Sequence, residues 1–312
     1  MKFAAQLIYL LLFSFSTGFA QVKINRVSLQ PGLSFNTETT VNLVIEQEFM
    51  GIRYNTQMDI NTLMFMKVME VDADTNFILS ASYQKMDLRV TSILINMEVS
   101  SESLFSGDSL SGVLSMLKGQ EFMIVLSSRG EISDIHGLDE MIGRTVGSCT
   151  LPEDQKAEFS RNLIQSIGEE SIQDNYRNNR FFYPEFPIKA KDQWFFNVNF
   201  MKSGIPMELN SQIRLKELSN GVATMVSEGR ISNQTLRINT NNPGTADPLY
   251  KLSGSEIAEK KIHVKTGLIR ESIVSQNVTG SIITNSRETN YLDETIPFKL
   301  ISRSSVRISG AE

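Results

Sequence analysis

Two histidines, His136 and His263, and one cysteine, Cys149, supply all the imidazole and thiol chemistry in 312 residues. A hydrolytic triad needs a nucleophile, an imidazole base and an orienting group in one pocket. His136 precedes Gly137 at the end of a strand-like run, and His263 stands between Ile262 and Val264. Neither adjoins a serine or cysteine in a tight glycine elbow. Two histidines are also a poor basis for zinc, whose sites use three or four ligands at recognisable spacing. Cys149 has no second cysteine to pair with and no neighbouring cation to activate its thiol. It reads as a small, half-buried residue ahead of a helix. Asp72-Ala73-Asp74-Thr75-Asn76 opens like a calcium loop, but Phe77 stands where the pattern needs glycine and Tyr83 where it needs a bidentate glutamate. It reads instead as a hairpin turn. Carboxylate pairs occur at Asp139-Glu140 and Glu169-Glu170. Adjacent helical residues point about 100° apart, so neither pair faces itself. Glycosidase carboxylates are placed by the fold rather than by sequence, which keeps a carboxylate-dependent hydrolase as a third functional reading. No phosphate loop or dinucleotide fingerprint is present. The expectation is therefore no catalytic residue, no metal and no cofactor.

The residues that could bind rather than react are apolar. Seven of the 14 methionines lie between residues 50 and 97: Met50, Met58, Met64, Met66, Met69, Met86 and Met97. Methionine is flexible and polarizable, which suits a surface that must fit variable apolar ligands. Leu63-Met64-Phe65-Met66 is apolar on both faces of a strand. One face of a curved sheet can pack on helices while the other lines a groove. Met58, Ile60, Met64, Phe65, Met66 and Met86 are the candidate ligand-binding residues.

Strands must position them. From Phe35 to Phe49 the odd residues are mostly apolar and the even ones mostly Asn, Glu and Thr, a period of two with one face toward a core. Met50-Gly51 turns the chain. Tyr54, Met58, Ile60, Met64, Met66 and Val68 then form the even face of a second strand, and residues 77–90 a third. Such long runs imply a meander that must twist and curl. A similar plan returns after residue 185, with Trp194 standing where Phe35 stood. Its Met207, Leu209, Ile213 and Leu215 form an inward row, and Asn220-Gly221 signals a hairpin. Gly119–Met141 and Glu259–Gly280 each run a strand into a Gly-centred turn, Ser-Ser-Arg-Gly and Lys-Thr-Gly, and out again. Shared order with drifting spacing suggests a duplication. Helices are expected over 108–118, 137–146 and from Thr150. Thr150-Leu-Pro-Glu153 matches a capping box, Ala157, Phe159, Leu163, Ile164 and Ile167 form a buried stripe, and Gly168 stops the helix. Residues 239–248 form an exposed loop.

The ends and the charge bound the compartment and partners. Lys2, the apolar run to Phe15 and the small residues up to Ala20 resemble a secretory leader cut after Ala20, and no later stretch spans a membrane. Thirty basic side chains against 35 acidic ones give a formal charge of −5, without the basic block that nucleic acid requires. The domain plan is residues 1–20 as leader, 21–149 as a first β-meander half, 150–180 as a helical connector and 181–312 as a second half.

The stretches around VDADTNFILSASYQKM, KGQEFMIVLSSRGEISDIHGLDEMI and HVKTGLIRESIVSQNVTG resemble a family of exported, mostly-β envelope proteins common in Bacteroidota. The resemblance covers most of the chain past the leader and rests on pattern. It implies export and a mostly β fold, and it brings no activity or site residues. A looser architectural similarity is to periplasmic lipoprotein and lipid carriers. The fold expected is mainly β (α+β), with long, strongly curved antiparallel sheets in two related halves and a few short helices. The function expected is non-catalytic binding of a lipid or lipidated partner on a concave face, in the periplasm or at the outer surface. An assembly protein that binds another envelope protein through sheet edges is the alternative.

Overall fold

A computed structural model describes residues 23–24, 26–93, 96–103, 109–189, 191–202, 205–233, 249–284 and 294–310. The expected leader, residue 108 at the start of the expected first helix, residues 203–204 and the loop expected at 239–248 lie outside them.

The first meander is β1 (Ser34–Phe49), β2 (Ile52–Val71), β3 (Phe77–Thr91) and β4 (Asn96–Ser100), then α1 (Ser109–Leu117), β5 (Glu121–Leu126) and β6 (Ile132–His136). Helices α2 (Leu138–Gly147), α3 (Glu153–Ile167) and α4 (Glu169–Tyr176) follow, with a 3-10 turn at Asn179–Phe182. The second meander is β7 (Gln193–Lys202), β8 (Ile205–Ser219), β9 (Val222–Ser232), β10 (Leu249–His263), β11 (Ile269–Thr284) and β12 (Glu294–Ser309). All strands join one antiparallel sheet in the order β6-β5-β3-β2-β1-β12-β11-β10-β9-β8-β7, with β4 beside β3. The two meanders are welded where β1 pairs with β12, from Asn36–Ser309 to Gln47–Phe298.

The expected periodicities hold. On β2, Thr62, Met64, Met66 and Val68 are buried and the residues between Met64 and Val68 are exposed. Met50 and Asn220, at φ 51°, and Gly51 and Gly221, at φ 74° and 73°, make the two tight turns. Met207, Leu209, Ile213 and Leu215 are buried. In each meander the second strand carries a bulge shortly before its turn, at Met69 in β2 and Lys216 in β8, which adds local twist.

The sheet curls until distant strands meet. The β5–β6 and β10–β11 turns are separated by six strand positions, roughly 29 Å of flat sheet. Yet Tyr183 joins them. Its hydroxyl donates to Gly267 O at 2.6 Å, and its ring backs onto Gly130, where a Cβ would stand 3.1 Å from the same hydroxyl. Asn179 Nδ2 donates to Gly130 O at 2.8 Å. The segment before β1 straps the same turns, with Val27 N donating to Ser128 O and Ser28 N to Thr266 O, each at 2.8 Å. The two echoed turns therefore close the lower end of an arc.

The helices fill the concave side. Val113, Leu114 and Leu117 of α1, Leu138, Met141 and Ile142 of α2 and Leu163 and Ile167 of α3 join the sheet's inner side chains in one core. Tyr83, fully buried on β3, donates to Ile167 O at 2.7 Å and ties α3 to the sheet. Two sequence expectations fail here. The helix expected from Thr150 begins at Glu153, with Pro152 in the cap position and no side-chain cap bond, so Thr150 and Glu153 form no capping box. Ala157 is exposed, because the helix buries only its C-terminal half.

Candidate ligand-binding face

The inner face changes character along the strands. Near the closed end Phe35, Met64, Met66 and Val68 are 3, 5, 3 and 1 % exposed. Farther up, Val41, Leu43 and Ile45 on β1 and Met58 and Ile60 on β2 point the same way but stay half-exposed. They sit side by side, Val41 opposite Ile60 and Leu43 opposite Met58, and β3 adds Leu88 opposite Ile60. The six residues singled out from the sequence thus divide. Met64, Met66 and Met86 are core, and Met58 and Ile60 belong to the half-open row. Phe65 is 37 % exposed on the outer face, because strand neighbours alternate sides. It shares no surface with the others.

Beneath this row lies a small apolar cavity of about 30 Å³, walled by Phe35, Met66, Ile124, Leu268, Val306 and Ile308. That is room for about two waters. The lower arc is therefore packed.

Beside it is a polar pocket of about 80 Å³, which shares Asn175, Ser272 and Val306 with the apolar cavity. Sequence reasoning missed its two buried charges. Glu256 and Lys260 on β10 are 4 % and 3 % exposed. They alternate with Glu259 and Lys261, so charge occupies both faces of the strand pattern and hides the inward one. The usable signal was Ala258 and Ile262, which share their parity. Glu256 Oε2 accepts from Gln276 Nε2 at 2.8 Å, and Gln276 Oε1 accepts from the Ser302 hydroxyl at 3.1 Å. Lys260 Nζ donates to Asn179 Oδ1 and lies 4.6 Å from the Phe182 ring centre. Burial pulls its pKa down to about 8, against the opposing charge of Glu256. Asp174 and Arg177 form an ion pair at the rim.

The residues weighed for catalysis are placed as follows. His136 Nε2 is 3.2 Å from Asp134 on the surface. His263 Nδ1 meets Thr266 Oγ1 at 2.9 Å inside its own turn. Cys149 is half-buried. Asp72 Oδ1 accepts from the backbone of Asp74 and Asn76, and its Oδ2 from Asn76 Nδ2 at 2.9 Å. Those bonds hold its carboxyl below the usual range, as a closed hairpin turn requires. The fold does bring one member of each carboxylate pair together. Glu169 Oε1 accepts from Leu138 N and Asp139 N at the start of α2, and Asp139 Oδ1 accepts from Glu169 N at the start of α4. Each carboxylate caps the other's helix. A Cβ at Gly168 would stand 2.6 Å from Asp139 Oδ1, so the exchange needs glycine there. Among the described residues no group of three His, Cys, Asp or Glu side chains could hold a metal, and no helix is long and apolar enough to cross a membrane.

The model of a family of unknown function, DUF6263, matches residues 74–269. The chain belongs to that family. The match runs from the β2–β3 turn to the first residue of β11, so in this DUF6263 chain it takes in both echoed hairpin turns and Lys260. None of the curated proteins matches. Among solved structures, one described as lipid–protein interactions in lipovitellin is 10 % identical, with a TM-score of 0.47; the alignment covers 91 % of this DUF6263 chain and 26 % of the other. This chain thus spans about a quarter of that one. The Pseudomonas aeruginosa protein OccK5 is 8 % identical over 89 % of this chain and 99 % of its own, at a TM-score of 0.24. A DUF1329 family protein from Desulfovibrio piger is 9 % identical over 87 % and 83 %, at 0.15.

Proposed function

We propose that this chain is an exported, non-catalytic binding protein that holds an apolar ligand, a lipid or the acyl part of a lipidated partner, on the upper concave face. The observation that supports this most is the inner row of Val41, Leu43, Ile45, Met58 and Ile60. It continues the core pattern upward yet stays half-exposed. Apolar side chains aligned on the inside of an arc, past the point where the core is filled, mark a surface that gains from being covered. Export rests on the leader-like start of the sequence.

The test is uptake of a fluorescent fatty acid by delipidated protein, compared with Leu43→Asp and Met58→Asp. Each variant places a charge on the row and is expected to weaken uptake at least tenfold, with the folded far-ultraviolet spectrum retained. Unmodified protein that takes up no probe, or variants that bind as it does, would refute the reading.

Assembly through a sheet edge is the second reading. Strand β7 ends the sheet, and Phe195 on it is 75 % exposed. An apolar edge of this kind can accept another strand. Crosslinking in cells to one dominant protein, lost in Phe195→Lys, would favour it.

A further inference from the structure

We infer that the ligand is an anionic amphiphile, with its tail along the half-open apolar row and an anionic oxygen of its head bound by Lys260 in the polar pocket. The inference rests on the binding reading above and specifies the ligand.

Three observations converge on it. First, the pocket opens beside the row. Ser302 and Ser304 line the pocket, and their partners across β1 are Leu43 and Val41. Lys260 on β10 is three strand positions from β1, roughly 14 Å along the sheet, and level in register with Thr39, just below Val41, a span that an acyl chain leaving the pocket can cross. Second, Lys260 is an ammonium in want of an acceptor. It carries three N–H donors, of which Asn179 Oδ1 takes one. The Phe182 face lies against it, and the charge of Glu256, in the same pocket, acts on it from farther away. Among the described residues no carboxylate oxygen lies within 4.0 Å of it. A buried cation without a close counter-charge is costly, and an anionic oxygen seated beside it removes that cost. Third, Lys260 is the cation of the pocket that no described carboxylate holds at close range. Arg177 is paired with Asp174, and Glu256 accepts from Gln276. The pocket's unmet demand is for an anion at Lys260. Its size, about 80 Å³, admits a head of a few atoms and leaves the chain to lie outside.

Titration calorimetry on the delipidated full chain past the leader tests this with palmitate, hexadecanol and inorganic phosphate. Palmitate is expected to bind at least tenfold more tightly than hexadecanol. Lys260→Met should erase that difference by weakening palmitate while leaving hexadecanol unchanged. Lys260→Gln, which keeps a polar donor to Asn179 without the charge, should do the same, and it covers the case in which Lys260→Met fails to fold. Equal binding of palmitate and hexadecanol, or a ratio unchanged in both variants, would overturn the inference and leave the binding reading intact. Neither chain compound binding would overturn both. Phosphate binding as tightly as palmitate would overturn the amphiphile, since the head alone would then suffice.

Discussion

Lys260 sets a pH signature that isolates one side chain. Its pKa falls from the ordinary 10.5 to about 8 because burial penalises the charged form. Below about pH 8 both the folded and the unfolded chain carry the proton, and the folded state bears the full cost of the buried charge. Between about 8 and 10.5 the unfolded chain still binds a proton that the folded one has released, so stability rises with pH. The shift corresponds to ~3 kcal/mol at most. Tyr83 and Tyr183 are raised, and Tyr176 is pushed up to about 12, all by burial. Unfolded tyrosines ionise first, so stability falls again above pH 10. Denaturant melts from pH 7 to 10 should show the ligand-free protein gaining stability while Lys260→Met stays flat. A flat profile in both would mean that Lys260 is not desolvated.

At the scale of elements, the bend is written in glycine. Gly229, Gly254 and Gly280 stand on neighbouring strands β9, β10 and β11, close to one another in register: Gly254 pairs with Val278 and Ile231, and Gly280 with Leu252. On the inside of a tight curve adjacent backbones approach, and a Cβ has nowhere to go. At Gly254 it would meet the carbonyl oxygen of Asn277 and stand 2.8 Å from Val278 Cα. Gly254→Ala is expected to cost about 2 kcal/mol, the scale of overpacking, read as a lower denaturant midpoint. Gly112→Ala, at an open site inside α1, should instead stabilise by about 0.5–1 kcal/mol and serves as the control of opposite sign. If Gly254→Ala leaves the midpoint in place, the curvature does not depend on a missing side chain.

At the scale of the molecule, one sheet passes through both meanders, so neither is closed without the other. Residues 21–149 alone would present the whole length of β1 as an unpaired edge, since β12 covers it from Asn36 to Gln47. They would also lose Tyr183, which braces the β5–β6 turn. An exposed edge of that length invites association. That fragment is expected to run as aggregate or oligomer on size exclusion, while the chain from residue 21 to 312 unfolds in one transition. A monomeric fragment with its own cooperative melt would establish an independent half.

Sequence alone determined the strands, their inward faces and most of their turns. Alternation and turn chemistry are local: Met64, Met66 and Val68 share a face because successive side chains oppose, and Asn220-Gly221 turns because both residues tolerate positive φ. Local reasoning failed where a partner distant in the chain decides. Thr150 caps no helix, Phe65 looks away from its neighbours' groove, and Asp139 meets Glu169 only because two helix starts are packed together. Lys260 was invisible among alternating charges until β10 took its place in the arc. Its meaning comes from Asn179 and Phe182, some 80 residues earlier, brought over it by the closure that Tyr183 holds. Periodicity is a property of one strand, whereas a pocket belongs to strands that meet only when the sheet curls, and that curl is a balance no single segment encodes.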